Sequence, residues 1–89
     1  MKILANGTLV TPEGARKGDV ALDGGKIARL ADRIEPAEGD EVVDVSGCWV
    51  FPGFIDAHTH LQCWTGSDGT ADSFEAGTRA AACGGTTTI

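Results

Sequence analysis

Val50-Phe51-Pro52-Gly53-Phe54-Ile55-Asp56-Ala57-His58-Thr59-His60-Leu61 is the stretch on which the reading of the fold turns. A dense apolar run with a proline–glycine turn inside it leads into a polar segment carrying two histidines. The run predicts a buried strand beginning near Phe54, of the kind found inside a parallel sheet. Side chains alternate along a strand, so His58 and His60 would project to the same side, about 7 Å apart along the backbone and able to converge on one ion. Neutral imidazole is a good zinc ligand, and ligand sites of parallel α/β folds lie beyond the carboxyl ends of strands. The plainer alternatives are a pair of exposed strand-end histidines or a satisfied core pair. Asp56, on the same face, could accept a ring N–H or join the site, or be a simple strand-start acid.

Downstream, Gln62 to Ala71 holds two glycines and short polar residues and is expected to be a loop. Asp72 resembles a helix N-cap, with Glu75 three residues on to complete a capping box, and the helix should run from Ser73 to Cys83. Phe74, Gly77, Thr78 and Ala81 fall on one face of it, where the small residues would let the helix lie close against a sheet. Gly84-Gly85 ends it, and Thr86-Thr87-Thr88-Ile89 has the β-branched make-up of a new strand. Strand, loop, helix and strand make one βαβ unit, expected to be right-handed.

Upstream, short apolar runs are punctuated by turn residues: Ile3-Leu4-Ala5 then Asn6-Gly7, Thr8-Leu9-Val10 then Pro12, and Val20-Ala21-Leu22 then Asp23-Gly24-Gly25. This predicts a meander of small strands. Asp23-Gly24-Gly25-Lys26 should close a hairpin between Val20–Leu22 and Ile27–Leu30. Ala31 to Asp40, with Pro36, Gly39 and a concentration of acids, is expected to be a solvated loop, and Glu41 to Val45 a further strand with Val43 and Val45 on one face.

Composition narrows the function classes. A net charge of −6 with seven scattered Lys and Arg residues offers no basic stripe for phosphates, so neither nucleic acid nor an anionic membrane is an expected partner. Cys48, Cys63 and Cys83 are an odd number without a Cys-x-x-Cys pair, which points to reduced thiols rather than to a disulfide framework or zinc ribbon. The opening Met1-Lys2-Ile3-Leu4-Ala5-Asn6-Gly7 lacks the apolar length of a secretory signal, and no stretch approaches a membrane span. A cytoplasmic location is the expectation.

Pro52-Gly53-Phe54-Ile55-Asp56-Ala57-His58-Thr59-His60-Leu61 resembles the first-strand signature of the amidohydrolase superfamily. Thr70 to Ala82 followed by Gly84-Gly85-Thr86-Thr87 further resembles its dihydropyrimidinase and hydantoinase branch, that of the cyclic amidohydrolases. The resemblance implies an α/β fold in which residues 1–50 form the N-terminal strands of a small β-sandwich and residues 51–89 begin a (β/α)8 barrel. It also implies metal-dependent hydrolysis of cyclic amide or ureide C–N bonds at a site of two divalent metals, zinc being expected, and a homo-oligomer. His58 and His60 would ligate the more buried metal; the bridging lysine, two further histidines and the aspartate general base match no residue here, so no catalytic residue is expected in this chain. Gln62 stands where the dihydroorotase branch usually has arginine, and the run from Gln62 to Ser67 departs from the usual pattern of relatives, leaving the substrate open.

A barrel of this kind takes about 250 residues, so the chain is expected to be an N-terminal fragment, inactive by itself. The competing readings are a non-catalytic truncated module that folds, binds a partner or self-associates through its unfinished sheet, and a metal-sequestering or metal-sensing peptide.

Overall fold

The computed structural model describes the backbone of residues 1–62, 64–65 and 68–89 and the side chains of residues 1–62 and 69–89. They form two compact units, Met1–Pro52 and Gly53–Ile89. Among the described residues the chain is mostly β-sheet with one helix.

In the first unit, β1 (Lys2–Thr11) runs antiparallel to β2 (Gly14–Asp23), in register from Thr11 opposite Gly14 to Lys2 opposite Leu22. β2 returns as β3 (Lys26–Ala31) through Gly24 and Gly25, whose φ values of 54° and 76° are open to glycine at no steric cost. The expected hairpin is therefore present, with longer strands than expected. β4 (Glu41–Asp44) and β5 (Trp49–Val50) both lie parallel to β1, one along each half of it. The strand order is β3-β2-β1-β4, with β5 also on β1.

The expectation of two separate strands around Asn6-Gly7 is corrected: they are one strand with a β-bulge. Pairing passes from Leu4 opposite Val20 to Gly7 opposite Gly18, so Ala5 and Asn6 together face Asp19. Asn6 takes the extra residue by adopting φ 66°, a left-handed conformation that asparagine tolerates better than most residues. Asp19 is 5% exposed, and its carboxylate accepts the Asn6 backbone N–H through Oδ1 and that of Ile34 through Oδ2, both at 2.8 Å. One buried side chain thus ties the bulge to the segment beyond β3.

That segment is not wholly solvated, a second correction. Ile34 is buried and packs with Ile3 and Ala21, flanked by Ala5 and Ala31, while its acidic neighbours stay in water. Gly7 and Gly18 face each other across β1 and β2, and a Cβ at either would stand 2.8 Å from a neighbour, the Val50 side chain or the Ala31 carbonyl oxygen. Their bareness lets β5 and the end of β3 close on the central pair.

The start of β1 is pinned to the end of the 32–40 segment. The Met1 ammonium lies 2.8 Å from Asp40 Oδ1, and Asp40 Oδ2 accepts the Ala37 N–H at 2.9 Å. The hydrogen bond to Asp40 raises the ammonium pKa above 8.0, and the same bond, followed by that from Ala37, lowers the Asp40 pKa below 3.8. Asp44 is lowered as well, chiefly by its hydrogen bond from Ser46. The carboxylate contributions are complete above the unfolded carboxyl range and are lost as pH falls through the depressed values. The ammonium contribution is complete below pH 8.0 and is lost as pH rises through the raised value. Thermal melts are expected to plateau between about pH 4 and 8 and decline on both sides. Asp40→Asn should flatten the alkaline decline; an unchanged alkaline limb in that variant would discard the pair as its cause.

In the second unit, β6 (Phe54–Ile55) is followed by the short antiparallel pair β7 (Trp64–Thr65) and β8 (Asp68–Gly69), helix α1 (Phe74–Cys83), and β9 (Thr86–Thr88), which pairs parallel with β6. Phe54 N–H donates to Gly85 O and Asp56 N–H to Thr88 O, both at 2.9 Å. Gly53 lies so close to Thr87 that a Cβ there would overlap its side chain. The strand expected to be buried is exposed, Phe54 at 57% and Ile55 at 74%, because β9 alone pairs with it among the described residues. The region expected to be all loop contains the β7–β8 pair.

The helix ends as expected, with the Gly84 N–H on the Ala80 and Ala81 carbonyls and Gly85 at φ 88°. Its N-cap is Ser73, not Asp72: Ser73 Oγ accepts the Ala76 N–H at 3.1 Å. Of the expected inner face, Gly77 is buried against Leu61, whereas Phe74 is 57% exposed.

Candidate metal centre

His58 and His60 do not lie on a strand. β6 stops at Ile55, and the pair stands just beyond it, in irregular backbone after the point where Asp56 last bonds to β9. The expected convergence is present nonetheless. The two Nε2 atoms are 2.9 Å apart, with ring centroids 5.0 Å apart and planes at 53°. At this distance one ring can donate its Nε2–H to the bare Nε2 of the other, the tautomers deciding which.

Asp56 neither accepts a ring N–H nor joins the pair. Its Oδ1 accepts the backbone N–H of His58 at 3.1 Å, a local side-chain turn just after β6. On the far side of the pair, Gln62 has φ 48°, its N–H donates to Asp72 O at 3.2 Å, and its Oε1 accepts the Phe74 N–H at 3.0 Å. Leu61 meets Gly77 where any side chain would collide with it. The engagement of Gln62 and Leu61 with α1 had no signal in the sequence: the partners are 12 and 16 residues away, and neither residue type declares a tether.

Two imidazoles whose Nε2 atoms stand 2.9 Å apart are within reach of one ion at the usual zinc–nitrogen distance of about 2.0–2.1 Å. They do not close a site: among the described residues no group of three or more His, Cys, Asp or Glu side chains could hold a metal. Cys48 and Cys83 are free and exposed, Cys48 in the turn before β5; Cys63 lies outside the described residues. No described helix is long and apolar enough to cross a membrane.

No family model matches the chain. D-phenylhydantoinase of Escherichia coli K12 is 45% identical to it over 87 residues, which are 98% of this chain and 19% of that protein. A crystal structure of a D-hydantoinase superposes with a TM-score of 0.91 at 50% identity, over 99% of this chain and 19% of its own. In sequence and fold, the chain is similar to one part of hydantoinases and dihydropyrimidinases. The dihydropyrimidinase of Brevibacillus agri agrees, with 43% identity and a TM-score of 0.88 over 97% of this chain and 18% of that one. The chain thus spans about a fifth of the length of the hydantoinases it matches.

Proposed function

We propose that this chain supplies the opening strands and the first two metal ligands of a metal-dependent hydrolase that opens cyclic amides or ureides. The 2.9 Å separation of the His58 and His60 Nε2 atoms beyond the end of β6 carries the reading, because two imidazole nitrogens that close can share one ion. The names of the relatives, hydantoinase and dihydropyrimidinase, supply the substrate class. Residues 1–50 correspond in this reading to the first strands of a small β-sandwich domain, and residues 51–89 to the first strand–helix–strand step of a (β/α)8 barrel. The parallel pairing of β6 with β9 across α1 supports the latter.

A divalent metal, zinc in the simplest case, would supply Lewis-acid activation of a ring carbonyl and of water. His58 and His60 would hold it through Nε2 and would move no proton, since that lone pair is committed. Asp56 holds the turn that presents His58. The remaining ligands and the general base would lie outside these residues, so the 89 residues by themselves should not turn over a substrate.

Replacing the matching segment of the E. coli D-phenylhydantoinase with residues 1–89 tests the reading. The chimera is expected to bind divalent metal and to hydrolyse cyclic ureides. A chimera that folds yet does neither would overturn the assignment.

A further inference from the structure

We infer that Gln62 is a positioning residue for His60, fixing the second imidazole by tying the chain just after it to the first turn of α1. The inference rests on the metal reading for its purpose, but its geometry stands apart from any metal.

The two histidines are held by different elements. His58 follows Asp56, whose backbone N–H is bonded to Thr88 O on β9 and whose carboxylate caps the His58 N–H. His60 has no such link to the sheet. The two residues after it are engaged with α1 instead: Leu61 fills the space left by Gly77, and Gln62 makes two hydrogen bonds, N–H to Asp72 O and Oε1 from Phe74 N–H. The Phe74 N–H is one of the amides at a helix start that have no partner within the helix, and Ser73 Oγ already serves Ala76. Gln62 therefore satisfies a donor that the N-cap leaves free, and its left-handed φ of 48° turns the chain so that it can. The 2.9 Å separation of the rings consequently depends on the sheet for one partner and on the helix for the other. A residue at position 62 must present an acceptor at glutamine's reach; apolar bulk there would release His60 while leaving β6 and β9 paired.

The test uses the 89-residue chain at submicromolar concentration. One readout is acylation of its two histidines by diethyl pyrocarbonate, followed by peptide mass spectrometry; the ring whose bare Nε2 accepts in the pair reacts slowly while paired and fast when released. The other is zinc affinity by competition with a fluorescent chelator. Gln62→Met, equal in length but without the acceptor, should speed acylation several-fold and weaken zinc by about tenfold. Gln62→Glu restores an acceptor and should match the parent in both. Parent-like acylation and zinc binding in Gln62→Met would overturn the inference, as would a Gln62→Glu chain that behaves like a released pair, the deciding result should Gln62→Met fail to fold. A parent chain that binds no zinc while its acylation still separates the variants would leave the positioning role in place, and the metal content of the D-phenylhydantoinase chimera would then decide the metal reading.

Discussion

His58→Ala and His60→Ala, each made in the D-phenylhydantoinase chimera, are expected to strip bound metal and lower kcat/KM by roughly a thousandfold, about 4 kcal/mol of transition-state stabilisation. The expectation follows from the convergence of two Nε2 atoms at 2.9 Å, where deleting either ring leaves a single donor from this chain. The loss should come with the metal, so elemental analysis of the purified variants is the decisive measurement. A variant that keeps full metal content would refute the ligand assignment whatever its activity. The two substitutions should not add, because each abolishes the same two-donor unit. In the 89 residues both side chains are exposed and no hydrogen bond of the β6–β9 pair runs through them, so neither substitution should unpair these strands.

The largest stability effect is expected at Asp19. Removing its carboxylate in Asp19→Ala deprives the Asn6 and Ile34 amides of their acceptor in a buried position, at a cost of about 3–5 kcal/mol. A unit the size of Met1–Pro52 has a total stability of roughly 3–8 kcal/mol, so the variant should sit near its unfolding midpoint. Asp32→Ala is the matched control. Asp32 is 93% exposed and only faces Arg16 at 3.6 Å, an arrangement worth about 0–1 kcal/mol. Amide exchange at Ile3, Asn6 and Ile34 reads the difference directly, and parent-like protection in Asp19→Ala would sink the account of Asp19 as the tie between bulge and loop.

What was legible in the sequence had local causes. The Gly24-Gly25 turn, the Gly84-Gly85 stop and the β-branched Thr86–Thr88 run each carry their conformational preference in the residues themselves. The histidine pair was legible because two ligand-type residues two apart form a local pattern. Its placement on a strand was not, since the strand ends where β9 ceases to pair with it. Asn6-Gly7 was misread because the residues that suit a turn also suit a left-handed bulge; the choice is made by Asp19, 13 residues away. Ile34 was lost among acids, since one apolar residue in a charged run has no period to betray it. Asp72 and Ser73 are both good caps, and the Asp72 carbonyl serves Gln62 while the Ser73 hydroxyl caps the helix. The hydantoinase likeness, by contrast, was carried by a contiguous motif and needed no tertiary knowledge.

The bulge at Asn6 also governs how β1 and β2 share their faces. Before it, Ile3 stands opposite Ala21, odd opposite odd; after it, Leu9 stands opposite Arg16, odd opposite even. The extra residue is therefore a phase shift in the sheet. Loss of one residue here would straighten the ladder and leave Gly7 to Thr11 opposite the same residues of β2, but it would remove the left-handed kink that brings the Asn6 N–H to Asp19. Length at this point is information in itself, and natural insertions or deletions should avoid residues 5–7 while remaining free to accumulate at the Pro12–Glu13 and Gly24–Gly25 turns.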